Sequence, residues 1–435
     1  MPRLPLLKIV SIFLLVLTSS IILSACSKLP ISILDKSKNE AVNIEYWGLW
    51  DSQSTMDSII GDYKKTKPNV NISYKKKSIQ QYRESLSSQI DSGKGPDMFV
   101  FHNTWTPMLK DQLSPVPSSV VSASEIKNNF YPAVSQDLIA NGKLVGLPTE
   151  VDGLELYYNE DVFKAAGIIK PPTTWSEFAQ DAVKLTVRDS QGGIRTAGAA
   201  IGTISNVDHF SDLLGLMIMQ NGGDLKSPTD KQSAEALQYY LSFAQGNNKV
   251  WDELQPPSTV AFSGGNVAMY FGPSFRAIEI KNANPQLKFK VAPVPQLEGN
   301  KIAWASYWAN GVSAKSTNKQ EAWEFAKYLE KEDVLIKRFS ENAKSPSRFF
   351  GEPYPLVSMA SKLASDPVLG AFVTDAPYAR SFPLTSRTFD SGINDQIIKA
   401  YEDAVNSVIK GAQPKTALET TAKNVSQILT RFGAK

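Results

Sequence analysis

Active sites and metal centres are most often built from histidine, cysteine and paired carboxylates, and this 435-residue chain is poor in the first two. It has two histidines, His102 and His209, and a single cysteine, Cys26. With so few soft ligands no zinc constellation can be composed. No GxSxG elbow, Walker A loop or GxGxxG fingerprint occurs, and the pairs Gly192-Gly193 and Gly264-Gly265 read as turns. Neither a cofactor site nor a metal site is expected. Carboxylates number 43, so chance pairs at the spacing of a glycoside hydrolase are guaranteed, and that chemistry stays open without being favoured. Glu150 and Asp152 share a face only if a strand runs through them. Together with Glu155 they read as polar residues at a hinge rather than as metal ligands.

Aromatic residues carry the positive signal. Eight Trp and 15 Tyr beside so few catalytic groups point to a binding surface. An indole face stacks on the apolar C–H face of a sugar ring, and neighbouring carboxylates or amides accept its hydroxyls. Trp175 and Trp323 fall on predicted helices and are assigned to the core, Trp47 to a strand. Trp50, Trp105, Trp251, Trp304 and Trp308 fall in loops or at strand ends, where clefts form in open α/β sheets. A net charge of +3 with one basic triplet, Lys75–Lys77, excludes a nucleic-acid surface.

The elements that must position these residues begin after an address label. Arg3 and Lys8 precede an apolar run from Ile9 to Leu23, too short for a span of ~20 residues. It ends in Leu23-Ser24-Ala25-Cys26, which matches the bacterial lipobox. Residues 1–25 are therefore expected to be a signal peptide, Cys26 the lipidation site, and 26–41 a tether holding the protein to a membrane through acyl chains. Beyond it, Val42–Trp47, Val70–Tyr74 and Met98–Phe101 read as strands, separated by helices at Asp57–Lys65 and Gln80–Ile90. That alternation argues for βαβ units and a parallel sheet.

The densest stretch is Pro148–Phe178. Leu154, Leu156 and Tyr158 alternate with Glu155 and Tyr157, predicting a strand with two unlike faces. Asn159 is placed to cap a helix over Glu160–Ala166 that stops at Gly167. Thr174 and Glu177 predict a capping box for a helix whose apolar stripe is Trp175, Phe178, Ala179, Ala182 and Val183. Further helices are expected at Phe210–Met219, Ser233–Ala244 and Asn318–Leu329, and strands at Val267–Phe271 and Phe289–Val294. Two C-terminal helices, one striped from Ile393 to Val408 and one over Thr416–Phe432, close the chain.

In order and spacing these segments resemble the maltose-binding-protein-like, carbohydrate-type solute-binding lipoproteins of ABC importers. The resemblance covers nearly all of residues 42–435. It rests on Tyr46-Trp47-Gly48, Gly95-Pro96-Asp97-Met98, Asn141–Pro148, Gly265–Pro273, Asn310–Leu329 and, most strongly, Leu156–Phe178. It implies an α/β, two-lobed periplasmic-binding-protein-like fold (type II), with hinge strands between the lobes and the ligand in the cleft between them. Lobe one would comprise 42–149 plus 301–346, and lobe two 150–300 plus 347–435. Trp50, Asp51, Asn103, Trp105, Glu150, Asp152, Phe275, Arg276, Trp304 and Trp308 are the expected ligand-binding residues. Trp50 and Trp105 would stack from lobe one, and Asp152 would accept hydroxyls at the hinge. Asp208-His209 and Thr388-Phe389-Asp390 lie in regions that reach the cleft in relatives. One departure stands out: Ser274 follows Gly-Pro where many relatives have Trp.

The implied protein is a non-enzymatic, monomeric receptor without a cofactor. It sits on the outer face of the bacterial cytoplasmic membrane, or in the periplasm of a two-membrane cell, and passes a carbohydrate ligand to the permease subunits of an ABC importer. The alternatives are a same-fold receptor for a glycerol phosphodiester, polyamine or peptide, and, from another class, an exported carbohydrate-active enzyme or adhesin.

Overall fold

A computed structural model describes residues 41–299, 301–345 and 348–434. The expected signal peptide, the lipobox cysteine Cys26 and nearly all of the tether lie outside the described residues. The chain opens with strand β1 (Val42–Gly48), a helix over Gln53–Thr66, β2 (Val70–Lys76), a helix over Tyr82–Asp91 and β3 (Met98–His102). The three strands are parallel, in the order β2-β1-β3. β3 is buried along its whole length, which is why its sequence is a continuous apolar run rather than an alternation. Two later strands complete this sheet: a strand over Trp308–Val312, antiparallel to β3, and beyond it β4 (Leu147–Pro148), antiparallel to that strand and so parallel to the first three. The wholly parallel sheet expected from the alternation is thus a mixed one. The chain leaves for a second sheet and returns through it, so the returning strand runs the opposite way.

The second sheet is built on β5 (Gly153–Asn159). One edge of β5 pairs antiparallel with β7 (Val267–Gly272), which pairs parallel with β6 (Ile194–Ala199). β8 (Phe289–Ala292) and β9 (Ala303–Ala305) also pair antiparallel with β5, β8 along Leu156–Asn159 and β9 at Gly153 and Leu154. Ala303–Ala305, expected in lobe one, therefore belongs to the second sheet. The return crossing is the next two residues, Ser306–Tyr307, before β10 (Trp308–Val312).

The crossings run side by side. The backbone N–H of Thr149 donates to the Trp308 carbonyl at 2.8 Å, and that of Ser306 to the Asp152 carbonyl at 3.0 Å. A third segment joins them where Val151 N–H meets the Pro353 carbonyl at 3.1 Å. Gly153 is fixed by this closeness, since a Cβ there would fall 2.0 Å from the Trp304 carbonyl oxygen.

Local signals in Pro148–Phe178 act largely as read. Asn159 Oδ1 accepts from the N–H groups of Asp161 and Val162, and Gly167 has φ +69°. Thr174 Oγ1 accepts from Glu177 N–H at 3.1 Å, but the Glu177 carboxylate turns to Thr173, bonding its N–H and hydroxyl at 2.8 Å, so the box is displaced by one residue. Val183, placed in the apolar stripe, is 47% exposed, and Leu185 is buried instead. β5 is enclosed on both faces except at Tyr158. Its alternation does not mark a wet face, because Glu155 is buried with a carboxyl partner in Asp375. Several helices had no sequence expectation, among them Phe275–Ala283 and Glu332–Ala343, and the latter carries residues on which the site depends.

Candidate functional site: the cleft between the sheets

A cleft of about 470 Å³ opens where the crossings pass from one sheet to the other. Its floor is made of crossing residues: Glu150 and Asp152 from the first, Ser306 and Trp308 from the second, and Arg348 to Glu352 from the third. Trp50, in the loop after β1, forms a wall on the first-sheet side, and Ser274 and Phe275, after β7, form one on the other. Phe389 lines the cleft from a backbone conformation with φ +52°.

Trp308 is the centre of the aromatic wall. Its ring meets Trp50 at 5.2 Å, His102 at 5.0 Å and Trp105 at 5.3 Å, each edge to face. Trp50 and Trp308 are half-buried and open to the cleft, whereas Trp105 is fully enclosed behind them. Trp105 is thus a backing residue and not the stacking platform expected. The reason is local: it closes a short 3-10 turn over Asn103–Trp105 and points under β3 toward Tyr82.

Three further expectations fail on burial. Asp51 is 5% exposed and lies outside the cleft, gripped by Arg338 (Nε to Oδ1 and Nη2 to Oδ2, both 2.9 Å) and by Asn342 at 2.9 Å. Asn103 is buried too, donating to Asp137 at 2.9 Å and accepting from Tyr307 N–H at 3.2 Å. Trp304 faces away from the cleft into the helix over Phe210–Gln220, so close to Gly215 that a Cβ there would meet its ring at 2.7 Å. Trp251 is also core, its indole N–H shared between Thr203 and Asn206.

Asp152 is placed as expected at the floor, but it is also a tether. Oδ1 accepts from the N–H groups of Gly153 and Ser274, and Oδ2 from the Ser274 hydroxyl at 2.8 Å. This holds a carboxylate at the start of the helix over Phe275–Ala283, where the helix dipole favours negative charge. Burial outweighs these bonds and lifts its pKa to about 7. Ser274, noted as a departure from Trp, is what makes the tether possible. Glu150 lies beside it, and burial together with the Glu352 and Asp152 carboxylates pushes its carboxyl well above the usual range.

Arg276 reaches the cleft but is committed within the protein. Its Nε donates to His209 Nε2 at 2.9 Å and its Nη1 to Glu279 at 2.5 Å. His209 Nε2 is therefore an acceptor, which leaves Nδ1–H to donate to the Ser386 hydroxyl at 2.7 Å. Burial and Arg276 hold this imidazole neutral. Sequence reasoning missed Arg348, Phe350 and Glu352. They sit in a segment without regular secondary structure, and no periodicity marks it. Among the described residues no group of three or more His, Cys, Asp and Glu is arranged to hold a metal, and no helix is long and apolar enough to cross a membrane.

Two sheets joined by crossing segments, with a deep aromatic and acidic cleft at the join, define a two-lobed, cleft-binding receptor fold. The family described as bacterial extracellular solute-binding protein matches residues 48–335. The chain belongs to that family. A binding-protein relative from Brucella abortus (strain 2308) is 26% identical over 265 residues, 60% of this chain, and the match spans 64% of that relative's length. Among solved structures, an ABC transporter solute-binding protein from Thermotoga lettingae bound with α-D-tagatose superposes with a TM-score of 0.67 at 24% identity, over 89% of this chain and all of that one. The sugar-binding protein MalE from Xanthomonas citri gives 0.73 at 18% identity, over 90% and 98%. At such identities these structures establish the fold.

Proposed function

We propose that this protein is the substrate-binding lipoprotein of an ABC importer, a non-enzymatic receptor that captures a sugar or oligosaccharide in the cleft and delivers it to a membrane permease. One observation carries the reading: two half-buried indoles, Trp50 and Trp308, meet edge to face in the same cleft as Glu150, Asp152 and Glu352. Flat apolar faces beside hydroxyl acceptors are what a pyranose needs. Glu150, Asp152, Trp50, Trp308 and Phe275 are the ligand contacts in this reading, and Arg276 orients the wall behind them. Lobe one is taken as 42–149 plus 306–346 and lobe two as 150–305 plus 347–435, each moving about the three crossings. Closure on ligand would shift an open–closed equilibrium through contacts made only in the closed form. Similarity to sugar-bound receptors of the same fold supports the substrate class. The sequence Leu23-Ser24-Ala25-Cys26 supports a lipid anchor at Cys26 and an exported, membrane-attached protein, taken as a monomer.

The test is a thermal-shift screen of neutral mono- and oligosaccharides, uronates, polyols and glycerol phosphodiesters. A sugar that raises the melting point progressively, with the logarithm of its concentration, is the expected result. A shift with glycerol phosphodiesters alone would overturn the carbohydrate reading.

A further inference from the structure

The carboxylates around the floor are unevenly supplied with partners. Glu352 is met on both oxygens, by Arg348 and by Asn342, each at 2.8 Å. Asp51 has its bidentate Arg338, and Asp152 has Gly153 and Ser274. Glu150 lies among these three, only 7% exposed, and no described residue donates a hydrogen bond to its carboxyl group. It lines the cleft, and its oxygens are not sealed within the protein.

The cations nearby do not bond it. Arg338 spends Nε and Nη2 on Asp51 and Nη1 on the Thr149 carbonyl at 2.7 Å. Arg348 gives Nη2 to Glu352 and none of its nitrogens bonds Glu150, and farther along the wall Arg276 is held by Glu279 and Arg387 by Asp208. Four carboxyl groups thus face two guanidiniums, both engaged, and the surplus falls on the one buried group with no partner. An unpaired buried carboxyl costs free energy in the empty cleft, and a ligand that supplies a donor recovers it.

We propose that the solute held in this cleft carries a protonated amine, seated on Glu150 and flanked by the rings of Trp50 and Trp308. A neutral sugar hydroxyl would satisfy one oxygen, but an ammonium group also draws Glu150 into the ionised form that burial and the neighbouring carboxylates otherwise disfavour, and aromatic faces attract it further. On the sugar reading above, on which this inference rests, the ligand class is an amino sugar. A linear polyamine offers the same ammonium chemistry without the ring.

The experiment is calorimetric titration of the full chain in detergent with matched probes. The amines are glucosamine, its β-1,4-linked di- and trisaccharides, and spermidine. The neutral counterparts are glucose, cellobiose and cellotriose. The expected result is an amine bound roughly 10–100-fold more tightly than its counterpart, the worth of one charge-assisted hydrogen bond. Glu150→Gln should erase that preference while leaving the ligand-free melting point unchanged or higher. Equal binding of the neutral counterpart, silence of every amine, or a preference that survives in Glu150→Gln each overturns the proposal. Should that variant not fold, the wild-type comparison decides alone. Spermidine binding with every sugar silent would uphold the ammonium site and sink the sugar reading. Binding of neutral sugars alone would do the reverse.

Discussion

Arg338 and Asp51, 287 residues apart in sequence, form a bidentate ion pair with both N···O distances at 2.9 Å. Neither touches the cleft, yet the pair positions it. Asp51 follows Trp50, Arg338 donates also to the Thr149 carbonyl at the first crossing, and Asn342 links Asp51 to Glu352. Asp51→Ala should destabilise the protein by ~3–5 kcal/mol, because it strands a buried guanidinium. Chemical denaturation would measure it. A near-neutral change would mean that Asp51 is not the anchor described.

Trp308 and Trp105 should separate cleanly. Trp308→Ala removes a cleft face and should weaken ligand binding roughly 3- to 10-fold, the worth of one aromatic contact. Trp105→Ala should instead cost ~3–5 kcal/mol of stability, since its ring is wholly enclosed. Calorimetry on one variant and thermal melts on both would show whether the assignments should be exchanged.

Asp152→Ala should abolish ligand-induced stabilisation. The ligand-free fold should lose only ~1–2 kcal/mol, for the severed bonds to Ser274. Trp175→Ala is the contrasting variant. Its indole donates to Gln220 at 2.6 Å and packs against Phe178 at 5.3 Å, so ~3–5 kcal/mol of stability is at stake with the cleft untouched. Thermal-shift curves with and without ligand distinguish the two roles.

Ligand-free stability should fall as pH rises from about 5 to 8. Burial raises the carboxyls of Asp212 and Asp375 to about 6, Asp152 to about 7 and Glu330 to about 8. A raised folded-state pKa gives stability that is fully present below the unfolded value of ~4 and lost as pH climbs through the folded one. His102, held down to about 3, and His209 act oppositely below ~6.5, but they are outnumbered. Melting points across that range would show the slope, and Glu330→Gln should flatten it near pH 7–8. A rising melting point would contradict these assignments.

Part of this molecule was legible because it is local. Asn159 caps, Gly167 stops and Met98–His102 is buried, since each depends on neighbours a few residues away. Glu150 and Asp152 could be placed at the cleft from sequence because their crossing follows directly on a readable strand. The helix over Glu332–Ala343 and the turn carrying Arg348 and Glu352 were not found, because the polar Arg338 and Asn342 occupy the helix's buried face, where their partner Asp51 lies far upstream, and the turn has no period.

Residue types and their short-range periods were enough to determine the α/β alternation and the chemistry on offer, indoles and carboxylates with two histidines and one cysteine, while the order and spacing of the motifs carried the resemblance to the family. Which indoles face the ligand was decided only by tertiary structure. Trp50, Trp105, Trp304 and Trp308 are alike in sequence, all at loop or strand ends. Yet β9 turns Trp304 into helix packing, the turn after β3 hides Trp105, and the side-by-side crossings leave Trp308 and Trp50 open. Exposure in a cleft depends on how two sheets approach each other, and that approach is set by contacts hundreds of residues apart, such as Asp51 with Arg338.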